Sequence, residues 1–243
     1  MSTYSFFYAI AYTAVFLVAF YEAKRRRLKR SVVVWLAVVG LLGGHFGARF
    51  LYLLLWEKHS FVSFWRTFFD FSHAGTCSSG AVLGVILSVA IFAYITKTKV
   101  MPYLDVYATG AGLCIFFGRI GCHFAGCCYG VATNVRWAIL QHGVLRHPTQ
   151  LYDAANGLFL FFAMQKLKTK RVAIGFLFFA YLAMYSFIRF FIEFVREEPR
   201  LMSLTYSQYI YGTICICSVL IILYKRLYRS VEHRPKKQRK GRK

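Results

Sequence analysis

Lys24-Arg25-Arg26-Arg27-Leu28-Lys29-Arg30 sets six positive charges between two long apolar runs, residues 6–23 and 31–56. Dense Lys and Arg between apolar runs marks a cytoplasmic loop, because short segments rich in these residues stay on the inner side of a bilayer. Three further clusters repeat the pattern: two cations at Lys97 and Lys99, four in 166–171 and ten in 225–243, so that the four places hold 22 of the 31 Lys and Arg residues. They fall at every second break in the apolar pattern. The resulting spans are residues 6–23, 31–56, 79–96, 102–121, 149–165, 172–196 and 204–224, against the roughly 20 apolar residues a bilayer requires. The expected fold is all-α and polytopic, with about seven transmembrane helices, the N-terminus outside and the C-terminus in the cytoplasm.

Composition agrees with that class. Hydrophobic residues make up 58% of the 243, aromatic residues 19% and charged residues only 16%; mean hydropathy is +0.49. In a soluble chain the net charge of +22 would point to nucleic acid. Here its placement explains it, so no nucleic-acid partner is expected. The first span lacks a basic leader and an A-x-A-type cleavage site, and reads as a retained helix rather than a signal peptide. One integral-membrane domain is expected over 1–224, with a basic, disordered tail over 225–243 that is a topology determinant or lies against anionic headgroups. Only the outer segments, about 57–78 and 122–148, are long enough for added surface structure.

Within the sixth span, Tyr185, Arg189, Glu193 and Arg196 share one helix face. A transmembrane Arg costs about 2.5–3.5 kcal/mol on insertion scales, so it faces a bundle interior, a partner charge or a wet cavity. The bland reading is an Arg189–Glu193 pair that neutralises itself while pinning helices. The functional reading takes in Arg119, near the outer end of the fourth span in Gly118-Arg119-Ile120-Gly121-Cys122-His123-Phe124-Ala125-Gly126-Cys127-Cys128-Tyr129-Gly130. Arginines from two helices at one depth suit a phosphate, because guanidinium forks donate paired hydrogen bonds to its oxygens. The phosphate reachable from within a membrane is a phospholipid headgroup. Arg146-His147-Pro148-Thr149-Gln150-Leu151-Tyr152-Asp153 opens the fifth span on the same outer side. Cys122, Cys127 and Cys128 read as disulfide-forming or packing residues, a reactive thiol or, least in keeping with their spacing, zinc ligands. Adjacent Cys127 and Cys128 seldom ligate one ion, so no metal is expected.

These residues resemble the bacterial phosphatidylglycerol:prolipoprotein diacylglyceryl transferase family. The resemblance is carried by Tyr8 and Tyr12 in the first span, Gly47-Ala48-Arg49 with Tyr52 in the second, Gly80 to Gly84 in the third and Asp105 in the fourth. Its most specific parts are Gly118 to Gly121 with Gly126 and Gly130, Arg146 to Tyr152, and Tyr185-x3-Arg189-Phe190-x2-Glu193-Phe194-x-Arg196. It implies an enzyme of the bacterial plasma (inner) membrane. That enzyme transfers the diacylglyceryl group of phosphatidylglycerol to the lipobox cysteine thiol of secreted preprolipoproteins and releases glycerol 1-phosphate, without a cofactor. Arg119, Arg189 and Glu193 are the implied catalytic residues. Tyr8, Arg49, Gly121, Gly126, Gly130, His147, Gln150, Tyr185 and Arg196 are implied to bind substrate among the membrane lipids. Two stretches depart from the family. Its Gly-Asn-Phe-x-Asn-Gly-Glu reads Gly121-Cys122-His123-Phe124-Ala125-Gly126-Cys127 here, and its His-Gly-Gly reads Ser79-Gly80-Ala81. His73, Ser79 and His123 are the candidates for the displaced base. The departures mark a cysteine-rich branch, with a related transferase of different acceptor, or a non-catalytic phospholipid-binding or translocating protein, as the alternatives.

Overall fold

A computed structural model describes residues 3–56, 61–69, 78–170, 172–197 and 200–225. Long helices form at all seven apolar runs: α1 (Thr3–Arg25), α2 (Arg30–Trp56), α4 (Ser78–Thr96), α5 (Met101–Phe124), α6 (Thr149–Leu167), α7 (Phe176–Ile192) and α8 (Tyr206–Lys225). Among the described residues, four stretches, in α1, α2, α7–Val195 and α8, are long and apolar enough by themselves to cross a membrane. The basic tail beyond Lys225, and His73, lie outside the described residues. A short helix α3 (Phe61–Phe69) and a hairpin of β1 (Ile139–Gln141) and β2 (Val144–Arg146) fall in the two segments, about 57–78 and 122–148, expected to carry surface structure. A second hairpin, β3 (Arg200–Leu201) with β4 (Leu204–Thr205), lies where only a break between spans was expected.

The chain divides into two compact units, Met1–Ala19 with Leu104–Lys243, and Phe20–Tyr103. In the second unit α2 packs along α4. A methyl group built on Gly47 would stand 2.5 Å from the Gly80 carbonyl oxygen, so the paired Gly-x3-Gly steps at 43/47 and 80/84 let two backbones touch, the small-residue packing by which membrane helices associate. Buried Arg49 donates through Nε to the Phe68 carbonyl at 2.8 Å and through Nη2 to Thr67 at 2.5 Å, satisfying the C-terminal carbonyls of α3. Buried Glu22 accepts from Arg25 at 2.5 Å and Arg26 at 3.1 Å where α1 runs into the basic loop. Ser79 stands in the first turn of α4.

In the first unit α5, α6 and α7 hold the site. Gly112 and Gly157 meet where α5 crosses α6: a methyl on Gly157 would lie 2.7 Å from both Gly112 O and Phe116 N. Buried Asp105 caps α7 from another helix. Its carboxylate accepts from Gly175 N at 2.6 Å and Phe178 N at 2.9 Å, placing negative charge at the positive end of that helix. Met164, Phe176, Leu177 and Ala180 form a core below. Both hairpins turn on two residues of positive φ, His142 (50°) with Gly143 (77°), and Met202 (48°) with Ser203 (77°), the twist that two-residue β-turns favour.

Candidate active site

The polar end of this unit is built from the C-terminal end of α5, the start of α6 and the end of α7. Arg119 and Asp153 come together because α5 and α6 touch at Gly112 and Gly157, about two turns away along α5 and about one turn away along α6. Arg119 Nε stands 3.1 Å from Asp153 Oδ2, and Arg189 Nη1 stands 3.5 Å from the same oxygen. One carboxylate on α6 therefore bridges arginines from α5 and α7. Arg189 Nη2 reaches Glu193 Oε2 at 2.8 Å, and Arg196 Nε lies 3.8 Å from that oxygen. Asp153, Arg189 and Glu193 are buried; Arg119, with 21% of its side chain exposed, is the open member. Three guanidiniums against two carboxylates leave one net positive charge, in surroundings where a lone charge is costly. Arg189 Nε and Nη1, both Asp153 oxygens and the side chains of Asn156 and Ser186 are buried without a hydrogen bond among the described residues. Their hydrogen-bonding capacity remains available to a substrate.

Glu193 begins a 3-10 turn, Glu193–Val195, that ends α7. The Thr205 hydroxyl donates to its Oε1 at 3.4 Å. Thr205 in turn opens α8 with a reciprocal cap: Thr205 Oγ1 accepts from Gln208 N at 3.1 Å while Gln208 Oε1 accepts from Thr205 N at 2.9 Å. Tyr185 stacks on Tyr181 with centroids 6.1 Å apart and meets Tyr211 edge-on at 5.8 Å, and the Arg189 guanidinium lies 5.5 Å from the Tyr211 centroid. Tyr8 enters from α1, its hydroxyl 3.9 Å from Cys122 Sγ.

The loop after α5 is sewn to the helices on either side. Gly130 N donates to His147 O and Val131 N to Val195 O, both at 3.0 Å. A methyl on Gly130 would stand 2.5 Å from Val195 O and 2.7 Å from His147 Cβ, so this contact needs glycine. Gln150 Nε2 donates to Cys127 O at 2.7 Å, and Thr149 Oγ1 to Cys128 O at 2.9 Å. His147 Nδ1 lies 3.1 Å from the Tyr152 hydroxyl, which also accepts from Trp137 Nε1 at 2.7 Å. Gln150 and His147 thus hold the loop and the start of α6. His123 sits one turn beyond Arg119, with its Nδ1 buried and without a hydrogen bond among the described residues. Gly121 and buried Cys122 lie in the last turns of α5, and Gly126 adopts φ 65° as the chain leaves that helix.

Cys122, Cys127 and Cys128 are free thiols with all three sulfurs within 4.8 Å of one another. The Cys128 thiol is held down to about 5, first by a hydrogen bond from Cys122, with Arg119 and Arg196 adding to it against the effect of burial. Burial pushes the Cys127 thiol up. Gly126, Cys127, Cys128, Tyr129, His142, Arg196 and Glu197 line a cavity of about 460 Å³ beside the trio. Arg146 closes one flank, its guanidinium 4.4 Å from the Tyr129 ring centroid and 2.5 Å from Glu197.

Arg119, Arg189, Glu193, Arg196, Tyr185, Tyr8, Gly121, Gly126, Gly130, His123, His147 and Gln150 all belong to the unit that carries this end; Arg49 and Ser79 belong to the other. Asp153 was quoted in the motif that opens the fifth span but given no role, and Asn156 and Ser186 were passed over. Their signal was available: Gln150, Asp153 and Asn156 recur at helical spacing inside an apolar run, where polar groups need a reason.

The family model described as prolipoprotein diacylglyceryl transferase matches residues 1–224. The chain belongs to that family. It is 31% identical over 210 residues to the phosphatidylglycerol–prolipoprotein diacylglyceryl transferase of Campylobacter hominis, covering 78% of this chain and 74% of the relative. It is 33% identical over 197 residues to the second such transferase of Clostridium perfringens, with coverage of 76% and 75%. With the protein of that name from Ehrlichia ruminantium it shares 33% identity over 207 residues, 78% of each chain. In this member of the family the arginine–carboxylate frame stands beside a trio of thiols.

Proposed function

We propose that the chain transfers the sn-1,2-diacylglyceryl group of phosphatidylglycerol to the lipobox cysteine thiol of a preprolipoprotein, forming a thioether and releasing glycerol 1-phosphate. The observation that carries the reading is the guanidinium pair on facing helices, buried Arg189 and half-open Arg119 bridged by Asp153, with Arg189 donors left over for an anion. In this reaction the thiolate attacks the glyceryl carbon that bears the phosphate ester, the carbon–oxygen bond breaks and negative charge builds on the departing phosphate. Arg119 and Arg189 are placed to share that charge, and donors fixed before the reaction need no reorganisation as it grows. Glu193 orients Arg189 and Arg196. Tyr8 and Tyr185 face the headgroup. Of the candidate bases His123, Ser79 and His73, His123 lies in the unit that carries the arginines, with its Nδ1 buried and without a hydrogen bond among the described residues.

All seven long helices cross the bacterial plasma membrane, with the N-terminus and the arginine site outside and the basic segments inside. The alternation of the cationic clusters supports this, since Lys166 to Lys170 join the ends of α6 and α7 opposite the site. Residues 1–224 act as the catalytic membrane body and 225–243 as a cytoplasmic tail. The substrates are phosphatidylglycerol and secreted preprolipoproteins. The test is reconstitution in phosphatidylglycerol vesicles with a lipobox peptide, followed by mass analysis of the peptide. Arg189→Lys is expected to lower kcat by about 10²-fold or more, because an ammonium loses the planar fork. Full activity in both Arg189→Lys and Arg119→Ala would sink the site. Tightly bound phospholipid with no glycerol phosphate released would favour a lipid-binding protein instead.

A further inference from the structure

Three thiols from one turn of helix and the loop after it point at one another beside an open cavity. We infer that Cys122, Cys127 and Cys128 bind a zinc ion whose fourth position, facing that cavity, takes and activates the acceptor thiol. This inference rests on the transferase reading for its second half only. Neighbouring cysteines on an extended chain point apart. Here Cys128 adopts φ 62°, the chain curls back, and Cys127 N bonds to Cys122 O at 3.2 Å, so all three sulfurs fall within 4.8 Å. Zinc–sulfur bonds of about 2.3 Å set tetrahedral sulfurs about 3.8 Å apart, so closing on an ion takes about 1 Å of side-chain adjustment. Gln150 and Thr149 already hold the Cys127 and Cys128 carbonyls in place.

Charge and coordination number favour the same reading. A divalent ion with three thiolates carries one net negative charge, which suits a place flanked by Arg119 and lined by Arg196. Three protein ligands and an open position are the pattern of a catalytic zinc site; structural sites use four. A thiol that reaches the ion loses its proton to solvent and stays nucleophilic as a bound thiolate. It then attacks the glyceryl carbon, the carbon–sulfur bond forms as the carbon–oxygen bond breaks, and the electron pair leaves with the phosphate held by Arg119 and Arg189. The ion thus takes the part of a base at the position where the family's Asn and Glu read as cysteine.

The experiment uses the full chain in detergent, reduced and then freed of metal, with Cd²⁺ as the spectroscopic probe and Zn²⁺ for activity. One equivalent of Cd²⁺ with thiolate-to-metal charge-transfer absorption is expected. It should be lost in Cys127→Ser and Cys128→Ser and kept in Cys217→Ser, a change at an exposed cysteine on α8. No such band in the reduced wild-type chain overturns the site without recourse to any variant, as does an equal band in the two loop variants. Chelation is expected to lower transfer to the lipobox peptide by about 10²-fold, the lower end of what a positioned base contributes, and added Zn²⁺ to restore it. Activity indifferent to chelation but lost in Arg189→Lys would overturn the zinc step and leave the transferase reading standing. Cd²⁺ binding without transferase activity in any form would overturn the thiol-activating role and the transferase reading together, leaving a metal site alone.

Discussion

Asp153→Asn keeps the size and shape of the side chain and removes the one charge on which Arg119 and Arg189 converge. The two ion pairs, at 3.1 and 3.5 Å, each amount to about 5 kcal/mol of Coulomb energy at an effective dielectric of about 20. Much of that offsets the desolvation of the carboxylate itself, so the net loss is close to the ~3–5 kcal/mol typical of breaking a buried pair. The remaining charges then change from one net positive to two. Two consequences are expected together. The melting temperature in detergent falls, because Arg189 is buried with only Glu193 to neutralise it. Transfer falls by about 10²-fold in kcat/KM, since ~3 kcal/mol of lost arginine placement is about two decades of rate. Kinetics on phosphatidylglycerol vesicles and thermal unfolding of the same preparation measure both. A variant that melts with the wild type and transfers within about twofold of it would show that Asp153 does not organise the arginines, and the bridged geometry would have to be abandoned as the basis of the site.

Gly130→Ala drives a methyl against Val195 O and His147 Cβ, and is expected to cost the overpacking penalty of ~1–3 kcal/mol in thermal unfolding, with activity reduced. Thr205→Ala removes the α8 cap and the hydroxyl donated to Glu193, lowering stability by ~1 kcal/mol. For Cys128 the folded pKa lies below the value of about 8.5 for a free thiol, so the stability its thiolate contributes is present above that pH and is lost as pH falls through about 5. Iodoacetamide labelling of metal-free protein, mapped to the Cys128 peptide, should therefore keep a titration midpoint near 5. In Cys122→Ser, which lacks the neighbouring S–H donor, the midpoint should move upward, and a wild-type midpoint near that of a free thiol would refute the assignment.

The helices were legible because their signal is local. Each apolar run and each basic cluster states its element without reference to any other residue, and the helices begin and end within a few positions of the apolar runs. The Arg189–Glu193 pair was legible for the same reason, being four residues apart on one face. Asp153 was not. Its partners lie 34 and 36 positions away, and only the Gly112–Gly157 crossing of α5 and α6 brings them to one oxygen. The reciprocal cap of Thr205 and Gln208 is written in the chain as Thr-x-x-Gln, a local signal. Met202-Ser203 gives no such sign, since neither is a habitual residue of positive φ.

The cysteine loop shows what spacing alone leaves out. The spacing of Cys122, Cys127 and Cys128 disfavours a shared ion, whereas the backbone brings their sulfurs together through Cys128 itself, whose left-handed conformation costs of order 1–3 kcal/mol where the surroundings do not enforce it. Those surroundings are the Thr149, Gln150 and Gly130 contacts, and Gln150 and Gly130 are among the residues that carry the sequence's resemblance to the family. The contacts that bend the loop thus stand where the loop itself carries Cys122, Ala125 and Cys127 at the positions of the two asparagines and the glutamate in the motif it resembles, with Cys128 next in the chain. A fold that holds its arginines through helix crossings, and its loop through backbone hydrogen bonds, leaves the side chains between them free to change chemistry.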